Sequence, residues 1–463
     1  MKSNFSLGNR VKIRITHASG VFYTFGIQKT KLNRFLRCKN KKENKKEETM
    51  AYVLSKEGKQ LMPCANVVAR LLLKDNKAKV KSRLPFVIKL TIESTEYTQM
   101  LILKVDTGSG KIGSAVVDEH NNVVYMSVIE IRNDISGKMT QRSKYRRNRR
   151  NRKTRYRKPR FNNRGNSTRK DRFSPTMKSK IDSHEKEIKF VNSILPITNL
   201  VLETGSFDPH ALQNPEVLQD LSLYQRGINF GFANTKAFVL DRDGYKCQNK
   251  SCKCNAKQPK LEVHHIIYRS QGGSDQPENL VVLCKECHDG LHKGVVQLKL
   301  TGKKKGQLKH ATQMNSIRVQ LLKRYPDAVE TFGFKTKEYR QLLGLPKEHH
   351  FDAVAMESGG MPVNFKTKDV FIKKCVSDGD YQMRKGVRSE QVIPLGKIMG
   401  FRKFDAVEHL GKRYFLKGRM TTGYAILMDI EGKKIDFKPM AKFELMKRLG
   451  ARKTWMIDVR QIA

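Results

Sequence analysis

Residues 99–131 read QMLILKVDTGSGKIGSAVVDEHNNVVYMSVIEI. Three apolar, β-branched runs are separated by TGSG and EHNN, both turn-forming, so the stretch predicts a meander of three antiparallel strands. Asp106 ends the first strand, immediately before the turn. An isolated acid there ordinarily caps the turn, and it gains meaning only from what lies elsewhere in the chain.

Towards the C-terminus the composition breaks at once. From Gln141 to Arg172, 16 of 32 residues are Lys or Arg and Asp171 is the single acid. RSKYRRNRRNRKTRYRKPRF has no apolar stripe, but its arginines recur at three- and four-residue spacing with Tyr145, Tyr156 and Phe161 between them. A helix that grips phosphates on several sides looks like this, with Arg142, Arg146, Arg147, Arg149, Arg150, Arg152, Arg155 and Arg157 as its contacts. The bland alternative is a solvated charge run. ITNLVLETGSFD then predicts a buried strand ending in Glu203, and LYQRGINFGFANTKAFVLDRDGYKC a helical stretch. HATQMNSIRVQLLKRY predicts an amphipathic helix and GLPKEHHFDAVAME another, with Pro346 in its first turn. From about Phe365, short alternating runs predict a compact β-rich domain.

In the other direction, NVVARLLLKD has helical spacing between two strand-like runs. Residues Met1–Thr49 end in CKNKKENKKEET, a composition that cannot bury a core, and read as an extension or disordered basic tail, with Met50 a more natural start.

The whole chain has 463 residues, 92 Lys+Arg and 44 Asp+Glu, a formal charge of +48. A hydrophobic fraction of 38% still allows packed cores. No run reaches the ~18–20 apolar residues of a membrane span, and Met1–Thr24 has no signal-peptide core. The charge calls for a long polyanionic partner, which nucleic acid supplies better than a membrane surface or an acidic protein.

Five of 8 cysteines fall between Cys247 and Cys287. Cys247 with Cys252 and Cys284 with Cys287 form two pairs suited to a closed, structural Zn²⁺ site, with Cys254 competing for the place of Cys252. Between and after them lie LEVHHIIYRSQGGSDQPENLVVLC and ECHDGLHKG. This crowding of His264, His265, Asn279 and His288 resembles an HNH nuclease, whose chemistry needs a neutral imidazole and a metal ion. The resemblance implies His265 as general base, Asn279 as the residue orienting it, and His264 with His288 holding Mg²⁺. The family often has Asp where His264 stands, and His292 reads as a bystander. A second set is dispersed: Asp106, Glu203, and His349 with Asp352 at i, i+3. An acid on strand one of a meander, another on strand four and a third on a late helix resemble the RNase H fold, which gathers carboxylates around two Mg²⁺ ions. Asp118 and Asp208 are weaker competitors, and His349 is preferred to His350 because it lies one turn before Asp352.

Together these motifs resemble the IscB family, transposon-encoded, RNA-guided nucleases related to the type II CRISPR effector. Gln60-Leu61-Met62-Pro63 departs at one position from that family's Pro-Leu-Met-Pro. The resemblance covers about Met50 to Ala463. It implies an α/β multidomain chain: extension 1–49, small N-terminal domain 50–96, RuvC segment I 97–138, arginine-rich bridge helix 139–172, RuvC segment II 173–222, inserted ββα-metal HNH domain with zinc 223–298, RuvC segment III 299–362, and a β-rich C-terminal domain 363–463. It further implies a prokaryotic, cytoplasmic or nucleoid, monomeric protein in a ribonucleoprotein with a guide RNA (the ωRNA). Its target is double-stranded DNA, the guide-paired strand cut by HNH and the displaced strand by RuvC, both with Mg²⁺. The C-terminal domain contacts RNA and reads a short motif beside the target, with Lys403, Lys412, Arg413, Lys417 and Arg419 as candidate contacts. The rivals are a protein-guided HNH endonuclease of homing or restriction type and a catalytically silent ribonucleoprotein scaffold.

Overall fold

The computed structural model describes residues 10–16, 22–28, 49–151, 172–252, 260–298, 300, 302, 308–377, 396–452 and 454–462. Two units separate, Met1–Glu48 and Thr49–Ala463. In the first, Arg10–Thr16 pairs antiparallel with Phe22–Gln28. The tail reading gives way there to a strand pair, because Val11, Ile13 and Ile15 alternate with basic residues at the strand period. The run 38–48 lies outside the described residues.

The second unit is built around an eight-stranded sheet. Its elements, in chain order, are β1 (Leu101–Asp106), β2 (Lys111–Asp118), β3 (Asn122–Glu130), α1 (Ile135–Asn151), α2 (Pro175–Asn192), β4 (Asn199–Thr204), β5 (Leu261–His265), β6 (Leu280–Cys284), α3 (Lys285–His292), α4 (Lys309–Arg324), β7 (Val329–Phe332), α5 (Gly333–Leu342), α6 (His349–Ala355), β8 (Asp369–Cys375) and β9 (Trp455–Gln461). The large sheet runs β7-β4-β1-β2-β3-β8-β9, with Asn364–Phe365 also paired to β3. β1, β2 and β3 are the expected antiparallel meander, whereas β1/β4, β4/β7 and β3/β8 are parallel.

Strand alternation divides the core between two faces. Leu101, Leu103 and Val105 pack with Ile181 and Ile188 of α2 and with Ile317 and Leu321 of α4. Ala115, Val117 and Met126 turn the other way, onto Ala353, Val354 and Met356 in and after α6. Helices on both faces explain why strands β1 to β3 read as nearly continuous apolar runs. Lys104 interrupts β1 yet is buried; it donates to the Met356 carbonyl at 2.5 Å, and burial lowers its pKa to about 8. Glu187 of α2 is fully buried against β2, β3 and β8. Its Oε1 accepts from Ser114, Ser127 and Tyr125, and Lys373 of β8 closes the ion pair at 2.6 Å.

The order of the sheet revises one boundary. β8 and β9 lie within the expected C-terminal domain 363–463, yet they extend the large sheet beyond β3. What remains between them is a five-stranded antiparallel sheet, including Ala406–His409 and Lys412–Arg419, with its own core around Val407, Leu416 and Leu427. The small N-terminal domain holds four strands and the helix Asn66–Lys74. Two helix expectations also shift. α6 begins at His349 rather than at Pro346, which sits in the preceding turn. The stretch 223–247 is α-helical only over Thr235–Arg242, where Asn234 caps the first turn. Among the described residues, no helix is long and apolar enough to cross a membrane.

The turn after β1 is tied down by the helices beneath it. His184 of α2 is fully buried: its Nε2 accepts from Gly108 N at 3.3 Å, and its Nδ1 faces the Lys180 carbonyl at 2.8 Å. Burial lowers its pKa to about 4 from the ordinary 6.5. As pH falls from 6.5 towards 4 the unfolded chain takes up a proton that the native one refuses, so stability is lost across that window. About 3 kcal/mol is expected from this residue. Denaturation midpoints measured between pH 7 and 4 check it, with a shallower decline expected for His184→Gln.

Candidate metal centres

The first centre forms at the ends of β1 and β4. The parallel register sets Asp106 opposite Glu203. Helix α6 reaches them because Gly113 of β2 leaves room; a Cβ there would lie 1.9 Å from the His349 carbonyl. His349 Nδ1 lies 2.6 Å from Asp106 Oδ2, and ligand atoms of Asp106, His349 and Asp352 all lie within 4.8 Å of one another. Glu203 stands beside this trio with Oε2 buried and unpartnered. Burial, and then repulsion from Asp106 and Asp352, pushes its pKa up to about 7. Asp106 is raised by burial and held back by His349, which its carboxylate raises in turn. Converging carboxylates with an orphaned oxygen are short of positive charge, so the donor set fits a divalent cation.

Sequence reading missed Arg340 of α5, whose Nε is 2.7 Å from Asp352 Oδ1. The competitors have other work: Asp118 accepts from the amides of His120 and Asn122, and Asp208 caps a short helix. His350 is buried against Phe351, with Nδ1 3.4 Å from Glu348 Oε2.

The second centre lies on the β5–β6 ribbon and α3. Adjacent strand residues face opposite ways, so His264 and His265 part company. His264 is buried, and its ring meets those of His288 and His292 at centroid distances of 5.0 Å each. All three offer nitrogens within 4.8 Å, and His264 Nε2 is buried without a partner. Burial and then the neighbouring imidazoles lower His264 to about 4. A trio of converging imidazoles suits a metal ion. His292 is therefore no bystander in the geometry; its i, i+4 spacing from His288 on α3 was the overlooked signal. Glu262 Oε2 lies 3.2 Å from His288 Nδ1.

His265 points to a different set. Its Nε2 lies 2.9 Å from Asp275 Oδ1, and Arg269 Nε lies 2.8 Å from the same oxygen. Neither Asp275 nor Arg269 was foreseen. Asn279 acts on the loop rather than on the ring: fully buried, it bonds Ile267 N and O and the Ser274 carbonyl.

Four thiols, Cys247, Cys252, Cys284 and Cys287, form a third cluster within 4.8 Å. Cys252 and Cys284 sulfurs are 3.7 Å apart. The edge of a tetrahedron with ~2.3 Å metal–sulfur bonds is about 3.8 Å, so the set fits Zn²⁺. Burial and the other thiols push Cys287 up to about 12, a charge deficit that a cation removes. Cys254 lies outside the described residues. Metal analysis is expected to find one zinc per chain, absent from Cys284→Ser, with protease resistance lost between 247 and 292.

Of the arginine run, α1 carries Arg142, Arg146 and Arg147 exposed, with Arg149 and Arg150 on the same helix. Arg152, Arg155 and Arg157 lie outside the described residues. In the C-terminal sheet, Lys417 and Arg419 are engaged by the chain's own carbonyls, Gly432 for the first and Gly396 and Phe401 for the second. Arg413 is half-buried, Lys403 lies over the Phe404 ring, and Lys412 is exposed.

Residues 51–227 match the RRXRR protein family, and residues 247–294 match the HNH endonuclease family. The type IV methyl-directed restriction enzyme EcoKMcrA of Escherichia coli is 43% identical over 63 residues, which is 12% of this chain and 22% of that protein. Anaredoxin of Nostoc sp. is 33% identical over 60 residues, 13% of this chain and 74% of the relative. The chain thus spans about a fifth of the length of the first of these relatives. The chain belongs among the proteins that carry an HNH endonuclease domain, here preceded by an RRXRR segment.

Proposed function

We propose that the chain is an RNA-guided, Mg²⁺-dependent double-stranded DNA endonuclease of the IscB type. The observation that carries this reading is the presence of two separate metal-fitting centres, one of carboxylates and one of histidines, in a chain of +48 with an exposed arginine helix between β3 and β4. A single-centre nuclease has no use for the first centre or for that helix.

The large sheet supports an RNase H-like, RuvC reading of the first centre. Its strands run as an antiparallel meander of three with two parallel strands beyond the first, and acids lie at the last position of β1 and the last but one of β4. On this reading Asp106, Glu203 and Asp352 would hold Mg²⁺, and the nitrogens of His264, His288 and His292 would hold a divalent cation in the HNH centre. A cation held at these centres would supply polarisation of the phosphate and stabilisation of the leaving oxygen. His265, positioned through Nε2 by Asp275, keeps Nδ1 free to take a proton from water. His349, tied through Nδ1 to Asp106, presents Nε2 in the same way. The carboxylate centre cuts the displaced strand, and the histidine centre the guide-paired one. The arginines of α1 hold RNA and heteroduplex phosphates, so base pairing reads the sequence.

The test is purification from cells co-expressing the flanking locus, followed by sequencing of the bound RNA. One discrete structured RNA with a variable end supports guidance. Heterogeneous RNA stripped by salt, with cutting that needs no RNA, supports the protein-guided alternative, which the similarity to a restriction enzyme favours.

A further inference from the structure

An aromatic pair stands beside the carboxylate centre. In the β4/β7 register Thr331 faces Glu203 and Phe332 faces Thr204. The chain then passes through Gly333 into α5, with Phe334 its second residue. Gly333 lies against the acid: a Cβ there would sit 2.9 Å from Glu203 Oε1. The rings of Phe332 and Phe334 are parallel within 6°, with centroids 6.3 Å apart. Phe332 is half-buried, whereas Phe334 is 68% exposed.

A single exposed phenylalanine carries no message by itself. Three features set this one apart. Its plane matches that of an anchored neighbour, the intervening glycine fixes it next to a half-buried carboxylate, and the next outward positions of α5 are the exposed Lys335 and Lys337, followed by Glu338. A flat apolar face flanked by cations complements a polymer of flat bases and phosphates. A duplex hides its base faces in its own stack, whereas a single strand leaves them open, and base–aromatic stacking tolerates any sequence.

We propose that Phe334 is a stacking platform for one base of single-stranded DNA beside the bond that the carboxylate centre cuts, with Lys335 and Lys337 at the neighbouring phosphates. This rests on the reading of that centre as the cutter of an unpaired strand. Stacking fixes the strand's register, so the phosphate arrives at Asp106 and Glu203 in one orientation. The face contributes contact area and no hydrogen bonds, so purines are preferred over pyrimidines without base identity being read.

The test uses the full-length protein with its co-purified RNA in a His265→Ala background. The probe is a 5′-labelled single-stranded DNA oligonucleotide in Mg²⁺, intact or with one abasic site at each position near the cut. Phe334→Ala is expected to lower kcat/KM about tenfold, and Phe334→Trp to restore it. One abasic position is expected to cause the same loss in the parent and no further loss in Phe334→Ala. If Asp106→Asn abolishes cutting while Phe334→Ala cuts at the parental rate, or if the two losses multiply, the platform is refuted and the carboxylate reading stands. If no cutting depends on Asp106, the reading falls and the platform with it.

Discussion

Asp106→Asn is expected to lower cutting of the displaced strand by about 10³-fold or more while the guide-paired strand is cut at the parental rate. Asp106 faces Glu203 across the β1/β4 pair and touches His349, so the whole centre converges on it. Loss of its charge withdraws a ligand from a site whose metal contributes several kcal/mol of transition-state stabilisation, and each ~1.4 kcal/mol is tenfold in rate. Folding is expected to move the other way. Burial raises both Asp106 and Glu203, and Asp106 is the first charge pushing Glu203 up. Without metal, an amide at this position removes repulsion, so the melting temperature of Asp106→Asn is expected to match or exceed that of the parent. A strand-resolved gel with melting curves checks both halves. Equal loss of cutting on both strands, or a lower melting temperature, would sink the assignment.

How much of this centre was legible depended on how far its cause lay along the chain. The apolar run around Leu101, Leu103 and Val105 announces β1, and Asp106 follows from the turn beside it. Arg340 was not legible, because on α5 it is one more basic residue until folding sets it 2.7 Å from Asp352. The same holds for Glu187 and Lys373, which meet fully buried across 186 positions. β8 and β9 were assigned to a separate domain because their alternating pattern does not state which sheet they join. The thiol and histidine clusters were more legible, since their members lie within one short segment where spacing is itself geometry. Even there, Asp275 escaped notice: an acid after two glycines reads as turn chemistry, and only the fold of the 266–274 loop brings it to His265.

That loop supplies the second large effect. His265→Ala is expected to lower cutting of the guide-paired strand by about 10²–10⁴-fold, the range for a lost general base, with the displaced strand unaffected. Its neighbours are expected to follow a graded order. Asp275→Asn keeps the shape of the contact but removes the charge that holds the imidazole through Nε2, so a loss of about tenfold is expected, between parent and His265→Ala. Combined with His265→Ala it is expected to add nothing, because a positioning residue has no effect once the group it positions is gone. Asn279→Ala acts by another route. It leaves Ile267 N and the carbonyls of Ile267 and Ser274 without partners in a buried loop, so cutting and stability are expected to fall together, the latter by about 2–3 kcal/mol. Single-turnover rates for the four variants, with melting curves, separate the roles. Additive losses in the His265/Asp275 pair would remove Asp275 from the mechanism, and full activity in His265→Ala would pass the proton transfer to another residue of the ribbon.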